Sequence, residues 1–172
     1  MRNRAFIDDE NKLFDITYYH TPSRWIKYAV DKSNPIADES NWSKEIKFLN
    51  ETNDDISDDI KNIPNDTGGI YMFFLKGISL SFIEKYIVYI GRCQYTNSQN
   101  IRKRAREYFS DNRDFIKGMF SKWKQFVYYR YYPDTDNERI KMNEAILLNA
   151  LWPPFNPTIP DKTEVQPTIK AF

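Results

Sequence analysis

Tyr71 and Tyr89 each sit in a run of β-branched and aromatic residues, 69–75 and 86–90, on either side of a polar segment containing Gly77 and Ser79. That pattern predicts two antiparallel strands joined by a longish loop. Tyr71 then lies near the start of the first strand and Tyr89 near the end of the second. Both positions fall at one end of the sheet, where two phenols can converge. At Gly91 the strand is expected to stop and the backbone to bend or approach a neighbour closely. Residues 102–130 carry 9 basic and 3 acidic side chains, the densest positive stretch of the chain. Such a surface suits a polyanion. Glu144 is set in the apolar run 140–151 rather than at its charged leading end.

The elements that must hold these groups can be read in order. Residues 12–20 are predicted as a strand, and 22–31 as a short helix with Thr21 as cap, broken at Asn34-Pro35. Ser43 is the expected cap of a second helix, with Ile46, Phe48 and Leu49 as its apolar positions. An acidic, turn-rich lead-in, 50–67, ends at Gly68-Gly69. Past the polar loop 92–100, the spacing of Ile101, Ala105, Tyr108 and Phe109 predicts a helix. Another is expected over 112–123, capped by Asn112. Residues 125–132, QFVYYRYY, have strong strand propensity, with Pro133 as the stop. Asp134 or Asp136 begins a final helix that runs to Leu151, before Trp152-Pro153-Pro154.

Gly69-Ile70-Tyr71 and Tyr89-Ile90-Gly91, in that order, make the sequence resemble the GIY-YIG nuclease family over residues 69–157. The 17 residues between the tripeptides exceed the usual family gap, and a longer hairpin loop absorbs them because loop length costs little. The resemblance implies an α/β (α+β) fold. Its centre would be a small three-stranded, mostly antiparallel sheet flanked by helices, as a nuclease-like domain at 68–157. Residues 1–67 would be an N-terminal extension serving packing, dimerisation or specificity, and 158–172 a tail.

In that family, water attacks a phosphodiester at a site of two tyrosines, an arginine and a glutamate that holds one divalent metal. Tyr71 and Tyr89 match the tyrosines. Arg104, on the first basic helix, matches the arginine, with Arg102 a neighbouring contender. Glu144 matches the glutamate, the ligand for one Mg²⁺ or Mn²⁺, supported by Pro154-Phe155-Asn156 downstream. Tyr108, one turn after Arg104, occupies a position where many members carry histidine and the excision-repair nuclease subunit carries tyrosine. It is expected in the site, with core packing as the alternative. Arg92, Arg102, Lys103, Arg106, Lys117 and Asn156 are the expected substrate contacts.

The chemistry is coherent on physical grounds. A phosphodiester needs its charge neutralised, its leaving oxygen stabilised and a water deprotonated. Arg104 offers a planar fork, Glu144 a carboxylate sufficient for a mostly hydrated Mg²⁺, and Tyr89 a phenol that nearby cations must make more acidic. The expected activity is metal-dependent hydrolysis of DNA, of restriction or mobile-element type. A non-cleaving nucleic-acid-binding module is the alternative, and RNA is not excluded. With one metal site per chain, cutting both strands calls for a homodimer or two successive events.

Composition bounds these readings. Aromatic residues make up 16% of the chain, enough for a core despite 28% charged residues. Residues 1–67 carry a net −5 and residues 68–172 a net +6, which places the polyanion-binding face in the latter. One cysteine, Cys93, and one histidine, His20, argue against a disulfide framework or a zinc site. With no long apolar stretch and no signal-like N-terminus, the chain is expected to be cytoplasmic, with no membrane partner.

Overall fold

The computed structural model describes residues 22–160. The strand expected at 12–20, His20, Thr21 and residues 161–172 lie outside them. Four strands form one antiparallel sheet: β1 (Ile46–Lys47), β2 (Gly68–Lys76), β3 (Lys85–Cys93) and β4 (Val127–Asp134), in the order β1-β4-β2-β3. Five α-helices accompany it: α1 (Pro22–Lys27), α2 (Asp58–Lys61), α3 (Ile101–Glu107), α4 (Asp114–Trp123) and α5 (Asn137–Leu151). None of the helices among the described residues is long and apolar enough to cross a membrane.

The fold is therefore α+β, and the sheet has four strands rather than three. The extra strand replaces the helix expected after Ser43. Ile46 and Lys47 pair with Tyr129 and Tyr128. The Ser43 hydroxyl, expected as a helix cap, accepts from the Tyr131 backbone N–H instead, at 3.1 Å. Both arrangements satisfy an otherwise open donor, and pairing with a distant strand wins here.

Helices cover both faces of the sheet, which is why β2 is buried along most of its length. On one face Tyr71, Phe73, Leu75, Tyr89 and Tyr129 pack with Ile101, Ala105, Tyr108, Ile116 and Met119. Phe48, Leu49, Ile56, Ile60 and Ile63, from the segment before β2, complete that cluster. On the other face Ile70, Ile90 and Tyr132 meet Ile140, Leu147 and Leu148 of α5.

Local chemistry sets the ends of the elements. Asp136, one of the two expected caps, accepts from the Glu138 and Arg139 backbone N–H groups, both at 3.1 Å, and starts α5. The cap of α4 is Arg113 rather than Asn112, with no side-chain bond. Strand β4 continues past Pro133 to Asp134. Strand β3 continues past Gly91 to Cys93, so the glycine marks a close approach, not a stop. The β2–β3 loop spans only 77–84; much of the long gap between the tripeptides is taken up as strand. Ile78, Leu80, Phe82 and Ile83 of that loop stand exposed.

Candidate active site

Period-two alternation puts Tyr71, Tyr89 and Gly91 on the face covered by α3 and α4. Tyr71 is directly opposite Gly91, and Phe73 opposite Tyr89. A Cβ at Gly91 would stand 2.6 Å from the Tyr71 hydroxyl and 2.7 Å from its Cζ. Only a glycine lets the Tyr71 ring cross the neighbouring strand. Helix α3 begins where the Asn100 side chain accepts from the Lys103 N–H at 2.9 Å. Its buried stripe, Ile101 and Ala105, continues into Tyr108, and Arg104 follows the same side toward the tyrosines.

The phenols form a chain. The Tyr71 and Tyr108 hydroxyls are 2.7 Å apart. Tyr108 in turn donates to Tyr89 at 3.2 Å. Because a phenol has a single proton, Tyr71 must then donate to Tyr108. Arg104 closes the near end, its Nε donating to the Tyr71 hydroxyl at 3.2 Å. Its Nη1 pairs with Glu107 at 3.0 Å, and the guanidinium lies 4.9 Å from the Tyr108 ring centroid. At the far end, the Tyr89 hydroxyl accepts from Tyr108.

Burial dominates the electrostatics. It holds the Tyr71 phenol well above its usual pKa, aided by Tyr108 and Tyr89 and opposed by Arg104. Tyr89 is also pushed well up, first by burial and then by Tyr108, with Arg113 opposing. Burial works against the Arg104 charge as well, but Tyr71, Tyr108 and Glu107 outweigh it and keep the guanidinium firmly protonated. Tyr71 is 1% and Tyr108 1% exposed, whereas Tyr89 is 7%. Tyr89 is thus the most accessible of the three phenols.

Glu144 lies elsewhere. Helix α5 covers the opposite face, and the Glu144 carboxylate forms an ion pair with Arg92 of β3. Arg92 and Ile90 share that face by alternation, away from Tyr89. Burial raises the Glu144 pKa, and Arg92 opposes the shift. Among the described residues no group of three or more His, Cys, Asp and Glu side chains is poised to hold a metal. A single carboxylate suits a hard cation that keeps most of its waters, and this one is engaged by both the guanidinium and the backbone of Arg92. The residues present therefore fit Mg²⁺ or Mn²⁺ held through Glu144, provided that Arg92 yields or shares the carboxylate.

The remaining expected contacts divide. Arg102 donates its Nε to the Ile63 carbonyl, which turns it away from the tyrosines and leaves Arg104 as the arginine of this centre. Lys103, Arg106 and Lys117 are exposed. Asn156 has both ends of its amide on the Ile90 backbone, at 2.9 and 2.7 Å, so it braces β3 rather than facing a substrate. Burial pushes the Cys93 thiol up to about 11, too high for a nucleophile near neutral pH.

Two residues escaped the sequence reading. Tyr129 stacks on Tyr71 at 5.7 Å with its hydroxyl buried and unpartnered among the described residues. Arg113, at the turn before α4, lies 5.6 Å from the Tyr108 ring centroid. Strand alternation on QFVYYRYY could have put Tyr129 on the buried face, but nothing in the pattern distinguishes Arg113. Compared with family models, curated proteins and solved structures, the chain matches none.

Proposed function

We propose that the chain is a divalent-metal-dependent endonuclease of the GIY-YIG type that hydrolyses DNA phosphodiester bonds. The observation that carries this reading is the Arg104–Tyr71–Tyr108–Tyr89 chain, in which an oriented guanidinium and the least buried of the three phenols end one hydrogen-bonded line. Arg104 neutralises a phosphate oxygen while Tyr71 and Glu107 fix its plane. Tyr71, being buried, positions Arg104 rather than touching substrate. Only as its phenolate, its own proton first lost to solvent, can Tyr89 receive the proton of the attacking water; burial disfavours that form even with Arg113 opposing, so a bound dication would have to favour it. Glu144, across β3 from the tyrosines, would hold a dication that supplies charge neutralisation, so both groups would serve one phosphodiester only at the edge of that strand. A restriction or mobile-element setting suits an activity of this kind, and two copies of the chain would cut both strands together.

Supercoiled plasmid incubated with the protein should relax to nicked or linear DNA in Mg²⁺ and stay intact in chelator. The Glu144–Arg92 pair and the raised phenol pKa values favour a second reading, a nucleic-acid-binding module that does not cleave. Retardation of duplex DNA with no nicking in Mg²⁺ or Mn²⁺ would decide for that reading.

Tyr108→Phe tests the centre of the chain, since it removes one hydroxyl and keeps the ring. A rate loss of about tenfold is expected. Two buried phenols also lose a partner, which should destabilise the fold by about 1–2 kcal/mol. Cleavage at the wild-type rate with that stability loss would reduce Tyr108 to a core residue.

A further inference from the structure

We propose that Arg113 is a second phosphate-binding guanidinium of this centre, taking a phosphodiester oxygen beside Tyr89 while Arg104 takes one beside Tyr71. The inference rests on the nuclease reading and adds a substrate contact to it. Arg113 mirrors Arg104 in its surroundings. Each guanidinium lies against the ring of Tyr108, at 4.9 Å for Arg104 and 5.6 Å for Arg113. Each is braced by one nearby carboxylate. Glu107 holds Arg104 at 3.0 Å, and Asp111 holds Arg113 through Nε at 3.0 Å and Nη2 at 2.6 Å.

Asp111 has a side chain only 13% exposed, while that of Arg113 is 40% exposed. The brace is the more covered partner and the cation the more open, an arrangement that suits an anion-binding fork. Phe115 completes the seat. The Arg113 guanidinium lies 4.9 Å from its ring centroid, and that ring stacks on Tyr89 at 6.0 Å. The Arg113 charge therefore sits beside the phenol at the open end of the chain, where it also opposes the burial of Tyr89. Asp111 takes the Nε–H and one Nη2–H; the three remaining N–H groups serve the neighbouring Tyr89 and Tyr108 phenols and an incoming oxygen beside them. A purely local role, holding the turn before α4, would need the ion pair with Asp111 but not the placement against two tyrosine-centre rings.

The test uses the full chain, with Arg113→Ala and Arg113→Lys. Three quantities are read: the single-turnover cleavage rate, duplex affinity across a salt series with Ca²⁺ in place of Mg²⁺, and Tm. In Arg113→Ala the rate should fall about tenfold or more, the size of one charge-assisted hydrogen bond. Its log–log salt slope should be shallower by about 0.9. Lysine should restore the slope but not the rate, and guanidinium ion at millimolar concentration should partly rescue the alanine variant. Loss explained by a lower Tm, with no rescue and an unchanged slope, would assign Arg113 to the turn and overturn the proposal. If the wild type cleaves and Arg113→Ala cleaves equally well, the proposal falls and the nuclease reading stands. A wild type that binds without cutting leaves affinity and slope to decide. A wild type that neither binds nor cuts removes both.

Discussion

Glu144→Ala should abolish metal-dependent cleavage, a loss of about 10³-fold or more, while duplex affinity stays within a few-fold of wild type. The expectation follows from the donor set. Glu144 is the one carboxylate of α5 that faces β3, and its partner there is a cation, Arg92. Among the described residues Glu144 belongs to no group of three or more His, Cys, Asp and Glu side chains, so a divalent ion here would depend heavily on this one carboxylate. Burial already disfavours the ionised carboxylate, so its removal should not unfold the protein. Glu144→Gln, which keeps the shape and a hydrogen-bond acceptor for Arg92, should lose cleavage equally. Calorimetry of Mn²⁺ binding provides the independent check. Undiminished binding in either variant would remove Glu144 as the ligand, and undiminished cleavage would remove the whole site assignment.

Arg104→Ala should slow cleavage by about 10²-fold or more, the usual loss when a preorganised donor to a reacting oxyanion is deleted. The substitution takes away the fork and the donor that fixes Tyr71 in one step. Lysine at 104 keeps a charge but cannot contact Tyr71, Tyr108 and Glu107 together, so it should recover binding more than rate. Arg102 supplies the contrast. Its Nε is bound to the Ile63 carbonyl, and Arg102→Ala should show mainly as a stability loss of about 1–2 kcal/mol. If Arg102→Ala is the slower nuclease and Arg104→Ala cuts normally, the catalytic arginine has been misplaced.

Where the chain's signals are local, the sequence reads well. Strands β2, β3 and β4 announce themselves through β-branched and aromatic runs, and α3 and α5 through helical spacing. The closeness of Tyr71, Tyr89, Arg104 and Tyr108 follows from the same periodicities. Strand β1 could not be read this way, because two residues carry no period and their partners, Tyr128 and Tyr129, lie far along the chain. Ser43 satisfies across the sheet the kind of need that suggested a helix cap. The Glu144–Arg92 pair joins α5 to β3. Alternation alone sets Arg92 on the face away from Tyr89, but it does not say which carboxylate will meet it there. Arg113 belongs to a turn whose geometry no periodic pattern encodes.

The place of Asn156 has a consequence for the sheet as a whole. Among the described residues β3 is its outer strand on that side, and an outer strand offers a ladder of free amides to any other extended chain. Phe155 donates its backbone N–H to the Val88 carbonyl at 2.9 Å, and the Asn156 amide engages both polar groups of Ile90. The residues on either side of Tyr89 are thus occupied by the chain's own post-helix segment. That segment works as a selvedge, finishing the border so that no foreign strand can be added beside the tyrosine. Loss of the Asn156 amide would then show as self-association through β3 and as faster hydrogen exchange at Ile90.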